Sequence, residues 1–218
     1  MKKIFKLFLN KIKLYHWIKE RIKKNKVIKF QKNSNMVFEI LIAVLEKNKI
    51  EYWLEYGTLL GVIREKGIIK HDYDIDIGIL ETNVNKKELE NILKINGFKK
   101  VKEILADNKI TEQKYIFKNF EVDIDFYFFY KEKEVIKGYA YEWLTFEEKY
   151  LAYMCTFSNF QIKYYEIKEK KVRVPKNFNK HLLEYYGEDY LIPNKNWEQK
   201  DAKNIKIINV KVDEIKYI

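Results

Sequence analysis

The sequence predicts one mixed α/β or α+β domain preceded by a basic helical extension. Two observations predict the domain: strand-like stretches between residues 52 and 130 are separated by short helical stretches, and hydrophobic residues make up 47% of the chain. A third predicts the extension: residues 1–34 hold twelve of the 43 Lys and Arg residues and a single acid, Glu20. The remaining residues are electrically balanced, so the net charge of +11 belongs to the extension. We therefore divide the chain into an extension at 1–33 and a catalytic domain at 34–218.

The extension has the pattern of an amphipathic helix. Apolar residues from Ile4 to Ile22 recur at helical spacing, with lysines on the other faces. A basic amphipathic helix suits an anionic membrane surface. Two alternatives stay open: a helix packed on the domain with its lysines in solvent, and phosphate contacts with nucleic acid. We expect membrane or partner docking, or the packed helix, and no nucleic acid.

Composition excludes several classes of protein. With the one cysteine, Cys155, and three scattered histidines, the chain offers no disulfide and no recognisable zinc cluster. It holds no apolar run long enough to cross a bilayer and no signal-peptide pattern at the start. We expect a reducing, cytoplasmic location, with peripheral contact at the inner face of the membrane.

The elements of the domain follow from local signals. A second helix is predicted over residues 34–48 with Ser34 as N-cap, then a short strand at 52–55 and a short helix at 58–66 closed by Gly67. Residues 73–80 alternate strictly and predict a strand, followed by a helix at 85–95. Strands are expected from 98 to 130, a helix near 145–154, and a last helix at 179–186 ended by Gly187.

The chemistry is concentrated at residues 53–80, WLEYGTLLGVIREKGIIKHDYDIDIGIL. Side chains alternate along a strand, so Asp74 and Asp76 share one face and the isoleucines share the buried one. Carboxylates at positions i and i+2 can converge on a divalent ion, and oxygen ligands favour Mg²⁺ or Mn²⁺. The simpler alternative for this pair is a solvated polar face of an ordinary strand.

Two further features favour a phosphoryl-transfer site. Gly57 and Thr58 open a short helix after a strand, where free N–H groups bind anions. A later strand, EVDIDFYFF, places Asp123 and Asp125 on its polar face. Phosphoryl transfer needs charge neutralisation and often a base for the attacking hydroxyl. Two metal ligands and a third carboxylate from a neighbouring strand meet these needs.

These motifs resemble the LicD/fukutin family. The resemblance rests on GTLLG at 57–61, Arg64, Gly67 and DYDIDIG at 72–78, which is most similar to the fukutin-related branch, and on Asp123 in the later strand. Weaker similarity lies in VRVP, YYG and LIP at 172–193, and Lys70-His71 stands where the family commonly has Pro-Trp. The resemblance implies a nucleotidyltransferase-like mixed sheet flanked by helices.

The resemblance also implies a reaction. A phospho-alcohol such as phosphocholine or ribitol phosphate would move from a CDP-activated donor to a sugar hydroxyl of a surface glycan or a lipid-linked acceptor. Asp74, Asp76 and Asp123 are the implied catalytic residues. Asp74 and Asp76 would bind the metal, and Asp123 would bind it, activate the acceptor hydroxyl, or do both, with Asp125 ranked behind Asp123. The implied substrate-binding residues are Gly57, Thr58, Arg64 and Asp72.

Alternatives to this reaction remain at this stage. The chain could transfer a nucleotide instead, or be a basic binding module with a degenerate site. A glycosyltransferase with Asp-x-Asp leaves GTLLG unexplained. Arg64 could instead pair with a structural carboxylate, Asp72 could be only a turn residue, and His71 is expected in a solvent-facing loop. Cys155 is expected to be a small buried side chain.

Overall fold

The computed structural model describes residues 2–118, 120, 122–144 and 147–217, with the side chains of helix residues 2–16, 18–20 and 23 excepted. Four helices are described, α1 (Lys2–Lys47), α2 (Tyr56–Arg64), α3 (Lys86–Ile95) and α4 (Phe178–Tyr186). The described strands are β1 (Trp53–Leu54), β2 (Asp74–Leu80), β3 (Phe98–Ala106), β4 (Lys109–Phe117), β5 (Asp123–Glu132), β6 (Val135–Leu144), β7 (Lys149–Ser158), β8 (Ile162–Ile167), β9 (Lys170–Pro175), β10 (Ile205–Ile208) and β11 (Val212–Lys216). The chain is a mixed α/β protein, as predicted.

The central sheet is built around β5. Its order is β10-β7-β6-β5-β4-β3-β11, and β2 pairs with β5 in parallel while the neighbours of β5 along this order are antiparallel. The first part of β5 pairs with β2 and β4, and its last residues pair with β6. The sheet curls, and the Tyr150 hydroxyl on β7 reaches Glu214 on β11 at 2.7 Å. One curled face therefore encloses a space.

The main core lies where helices cover this sheet. Ile75, Ile77 and Ile79 are fully buried, as their alternation along the strand predicted. They pack with apolar residues of α1, α2 and α3. A second cluster gathers Trp53, Phe129 and Phe157 beneath α4. The two cores fix β2 and α4 on either side of the site described below.

Helix α1 corrects the prediction of a separate helix starting at Ser34. The helix runs through this position without a break, and Ser34 is a buried interior residue rather than an N-cap. No glycine or proline occurs before residue 57, so nothing interrupts the helical backbone. The predicted boundary between residues 33 and 34 falls inside α1.

The predicted helix near residues 145–154 is also wrong. Residues 145 and 146 lie outside the described residues, and β7 occupies positions 149–158. Its residues pair with β6 along the whole length of both strands, so tertiary pairing overrides the local helical signal. The hairpin of β8 and β9 and the terminal strands β10 and β11 were not predicted.

The predicted helix ends fare differently. The helix expected at 179–186 is confirmed, and Gly187 ends it with a φ of 90°. The prediction that Gly67 ends α2 is off by one residue. Lys66 has the left-handed φ of 54° that ends the helix, and the Gly67 N–H donates to the Gly61 carbonyl. Cys155 is fully buried, as predicted. In the described residues, no helix combines the length and the apolar character that crossing a membrane requires.

Candidate active site

The parallel pairing of β2 with β5 brings two Asp-x-Asp motifs side by side. Asp74 lies opposite Asp123, and Asp76 lies opposite Asp125. Because alternate residues share a face, all four carboxylates leave the sheet on the same side. A parallel pair of strands separated by more than forty residues in the chain thus assembles one acidic centre.

Three of the four carboxylates converge. Oxygen atoms of Asp74, Asp76 and Asp125 lie within 4.8 Å of one another. Asp76 and Asp125 are buried, and Oδ1 of Asp125 accepts no hydrogen bond from the described residues. We call these three residues the acidic triad.

Asp123, the predicted third ligand, lies outside this group, and Asp125 takes its place. The Asp123 carboxylate Oδ2 lies 2.9 Å from Lys26 Nζ of α1 and 3.5 Å from Lys114 Nζ of β4. The register sets Asp123 opposite Asp74, but its carboxylate is paired with these two lysines, whereas Asp125 lies opposite Asp76 and joins the group.

The acidic triad is electrostatically strained. Burial, followed by the neighbouring carboxylates, raises the pKa of both Asp74 and Asp76 well above the ordinary range. Three clustered carboxylates with an unpartnered oxygen match the preference of Mg²⁺ or Mn²⁺ for oxygen ligands. The residues therefore fit a divalent cation, which would offset the repulsion among them.

Lys114 lies beside the acidic triad, and the sequence analysis did not identify it. Its ammonium lies 2.8 Å from Asp125 Oδ2, and the carboxylates of Asp125 and Asp123 raise its pKa despite the opposing effect of burial. A lysine on the polar face of a strand is ordinarily a solvated residue, and only the fold shows that this one faces three aspartates. It supplies one fixed positive charge beside the acidic triad.

Gly57 packs against two carboxylates of the acidic centre. A Cβ at this position would lie 2.7 Å from Asp72 Oδ2 and 3.4 Å from Asp76 Oδ2. Asp72 itself accepts a hydrogen bond from the Tyr73 N–H at 2.9 Å and lines the cavity. The absence of a side chain at residue 57 therefore leaves room for these carboxylates.

Thr58 has a different place from the predicted phosphate contact. Its buried hydroxyl accepts a hydrogen bond from the Asp76 N–H at 2.8 Å, and Thr58 is not part of the cavity wall. At the helix start itself, the Glu55 carboxylate accepts from the Tyr56 N–H. Thr58 thus holds the strand that carries the acidic triad.

Arg64, the last residue of α2, lies in the cavity wall. Its Nη1 donates to the Tyr190 carbonyl at 3.3 Å, and its Nη2 lies 2.8 Å from the Glu65 carboxylate. Its buried Nε has no hydrogen-bond partner among the described residues. The guanidinium is held in place by its neighbours.

His71 is exposed, as expected, at the rim of this cavity.

The acidic triad opens into a cavity of about 1140 Å³. Its walls come from α2, the curled sheet, α4 and the segment after α4, and they are unusually rich in aromatic rings. Tyr186 and Trp197 pack with their ring centroids 4.7 Å apart, and Tyr127 donates a hydrogen bond to Asp76 Oδ1 at 3.4 Å. The sequence analysis missed these aromatic residues because they come from distant parts of the chain: Tyr56, Tyr73, Tyr127, Tyr141, Tyr150, Tyr185, Tyr186, Tyr190 and Trp197.

A mixed sheet with a carboxylate cluster on adjacent strands, faced by a glycine at the start of a helix, defines a nucleotidyltransferase-type domain. A family model described as "LicD/FKTN/FKRP, nucleotidyltransferase domain" matches residues 49–177, more than half of the chain. The chain belongs to this LicD/FKTN/FKRP family, as the sequence motifs indicated.

Similar proteins occur in bacteria and mammals. An uncharacterized protein of Rickettsia typhi is 36% identical over 100 residues, covering 45% of this chain and 29% of that protein. The ribitol-5-phosphate transferase FKTN of Mus musculus is 28% identical over 180 residues, covering 79% of this chain and 36% of that protein. The ribitol 5-phosphate transferase FKRP of Mus musculus is 46% identical over 48 residues, covering 22% of this chain and 10% of that protein.

These alignments span at most about a third of the length of those curated relatives. Among solved structures, the lincosamide adenylyltransferase LnuA with bound lincomycin superposes with a TM-score of 0.43 at 16% identity. That superposition covers 76% of this chain and 89% of LnuA. The named mammalian relatives are transferases of phosphorus-containing groups.

Proposed function

We propose that this protein is a metal-dependent phosphotransferase that moves a phospho-alcohol from a CDP-activated donor to a sugar hydroxyl of a glycan. The observation that carries the proposal is the acidic triad of Asp74, Asp76 and Asp125 at the cavity. Membership in a family that includes ribitol-5-phosphate transferases supports the phospho-alcohol, of which ribitol phosphate is the first candidate.

The cation expected at this site is Mg²⁺ or Mn²⁺, held by Asp74, Asp76 and Asp125. When bound, such an ion neutralises phosphate charge and stabilises the developing charge on the leaving group. We assign the third-carboxylate role to Asp125 instead of Asp123. Its Oδ2 is held by Lys114, and its Oδ1 is left to bind the cation or to accept the proton of the attacking hydroxyl.

Other residues of the chain bind and orient the donor. We assign the donor phosphates to the part of the cavity wall that holds Gly57, at the start of α2, and the guanidinium of Arg64. Lys114 supplies positive charge beside the transferred group, and Asp123 positions Lys114. Asp72 supports the site beside Gly57, and Thr58 positions Asp76.

The test is the turnover of CDP-ribitol in the presence of Mg²⁺, measured as the release of CMP. Asp76→Asn and Asp125→Asn should each lower turnover by at least about 1000-fold, because several kcal/mol of transition-state stabilisation depend on the cation. Asp123→Asn is the matched comparison and should retain most of the activity. Unchanged turnover in Asp76→Asn would contradict the proposed mechanism.

The same assay separates the alternatives. Pyrophosphate released from a nucleoside triphosphate would identify nucleotide transfer, and UDP released from a UDP-sugar would identify glycosyl transfer. A protein without turnover of any of these donors, but with vesicle binding, would be the basic binding module.

We also propose that α1 holds the enzyme at an anionic membrane surface, close to lipid-linked acceptors. Between residues 17 and 28, the described side chains of α1 include the exposed Trp17, Ile22 and Ile28 among basic residues. Exposed aromatic and aliphatic side chains interspersed with lysines are the composition of an interfacial helix.

A further inference from the structure

A second group of cavity residues has no part in the proposed donor and metal site. Lys102 of β3, Glu112 of β4, Tyr141 of β6 and Tyr150 of β7 lie on the inner surface of the curled sheet. We call these four residues the sheet-face patch. They line the same cavity as the acidic triad, so a ligand bound to the patch lies next to the reacting centre.

Glu112 is the carboxylate of the patch. It is 7% exposed and lines the cavity, and Lys102 Nζ lies 3.7 Å from its Oε1. A carboxylate accepts several hydrogen bonds, and one that faces a cavity can accept them from the hydroxyl groups of a bound ligand.

The two tyrosines contribute rigid apolar surface. The Tyr141 hydroxyl is bonded to Thr111 Oγ1 at 2.6 Å, and the Tyr150 hydroxyl donates to Glu214 at 2.7 Å. Their ring centroids are 6.1 Å apart. Because both hydroxyls are engaged within the protein, the rings keep fixed positions and offer mainly carbon surface to a ligand.

The charge on the side of the cavity that holds the sheet-face patch indicates which substrate binds there. Outside the acidic triad and its partner Lys114, this side of the cavity carries the carboxylates of Glu112 and Glu142 and the single ammonium group of Lys102. An anionic nucleotide donor is repelled by such a wall, whereas neutral hydroxyl groups can donate to its carboxylates. The combination of hydroxyl acceptors, a lysine donor and fixed aromatic carbon suits a polyhydroxylated ligand.

The reaction geometry points to the same assignment. In phosphoryl transfer the attacking and leaving oxygens lie roughly in line on opposite sides of phosphorus. With the donor phosphates placed at Gly57 and Arg64, the acceptor must approach from another wall of the cavity. We propose that the sheet-face patch is the acceptor subsite and binds a neutral sugar or alditol. This inference rests on the proposed function.

Binding can be measured without turnover. Saturation-transfer difference NMR with the full-length protein, Mg²⁺ and CDP would use ribitol and the methyl glycosides of glucose, galactose and N-acetylglucosamine as probes. We expect at least one probe to bind the wild type. Glu112→Met should weaken that binding at least about tenfold, and Glu112→Gln should weaken it less, since an amide oxygen still accepts a hydrogen bond.

Matched variants separate the patch from general damage. Tyr141→Leu should lose the probe signal and Tyr141→Phe should keep it, because the ring supplies the contact. Glu132→Gln, at an exposed salt bridge outside the cavity, should leave the signal unchanged. Affinity for CDP, measured by calorimetry, should change less than about twofold in all these variants.

Two results would overturn the inference: no probe binds the wild type, or Glu112→Met weakens CDP as much as the probe. Failure of CDP-ribitol turnover in the separate activity assay bears on the proposed reaction alone, because probe binding is read in its absence.

Discussion

Asp123 and Asp125 show how much a difference of two positions along one strand matters in this site. Both belong to one Asp-x-Asp motif and both point to the same side of β5. Asp125 joins Asp74 and Asp76, whereas Asp123 is paired with Lys26 and Lys114. The sequence predicts the face that carries these carboxylates, but the neighbours on that face come from β2, β4 and α1.

Gly57→Ala tests the packing of the acidic centre. The new Cβ would lie 2.7 Å from Asp72 Oδ2, so the carboxylates must shift, and turnover should fall at least about tenfold. Stability should change by less than about 1 kcal/mol, because alanine is favoured in a helix. Gly67→Ala is the control, since its Cβ would meet only Lys168 Nζ at 3.7 Å. Full activity in Gly57→Ala would show that the close approach is dispensable.

Glu112 predicts a pH dependence of stability. Burial, followed by the charge of Asp125, raises its pKa from 4.5 to about 7. The folded state therefore binds this proton more tightly than the unfolded state, and stability falls as the pH rises from about 4.5 to about 7. Glu112→Gln should remove up to about 3 kcal/mol of this decline, measured by urea unfolding without metal between those pH values. A variant with the same slope as the wild type would contradict the assignment.

At the scale of elements, α4 is tied to the start of α2 by a buried polar network. The His181 Nε2 of α4 lies 2.7 Å from Glu55 Oε1, and the Trp53 Nε1–H donates to the other oxygen of this carboxylate. Phe157 stacks on the His181 ring with centroids 4.0 Å apart. This network sets the position of α4, which brings Tyr185 and Tyr186 to the cavity.

Glu55→Ala should therefore destabilise the protein. Trp53 and His181 would lose their partner inside the core, at a cost of about 3 to 5 kcal/mol in the free energy of unfolding. Chemical denaturation measures this loss. Glu51→Ala is the comparison, because Glu51 is exposed and bonds only Asn83 at the surface, and it should cost less than about 1 kcal/mol. Equal effects of the two substitutions would argue against a structural role for the network.

At the scale of the whole molecule, the curled sheet creates one cavity from elements spread over most of the chain. Its lining runs from Tyr56 to Lys200 and joins a metal-type acidic centre to aromatic and polar walls. Helix α1 extends from this body, and Lys26 links it to Asp123 at the edge of the centre. The basic extension and the site are therefore parts of one connected structure.

Vesicle binding tests the proposed role of α1. Arg21→Gln combined with Lys24→Gln removes two exposed charges, each contributing about 1 kcal/mol at an anionic surface, so affinity should fall about 30-fold. Cosedimentation with phosphatidylserine-containing vesicles measures the change. Lys131→Gln combined with Lys133→Gln removes the same charge from the end of β5 and the turn that follows it, and should have little effect. Equal losses in both double variants would indicate nonspecific attraction.

The sequence alone determined the strand with Asp74 and Asp76 on one face, the glycine at the start of α2, the family and the mixed α/β class. These follow from local periodicity and from motifs that are contiguous in the chain. The tertiary structure decided that Asp125 completes the acidic triad, that Lys114 stands beside it, and that β7 is a strand. Those features depend on register and pairing between segments far apart in sequence, which local pattern does not encode.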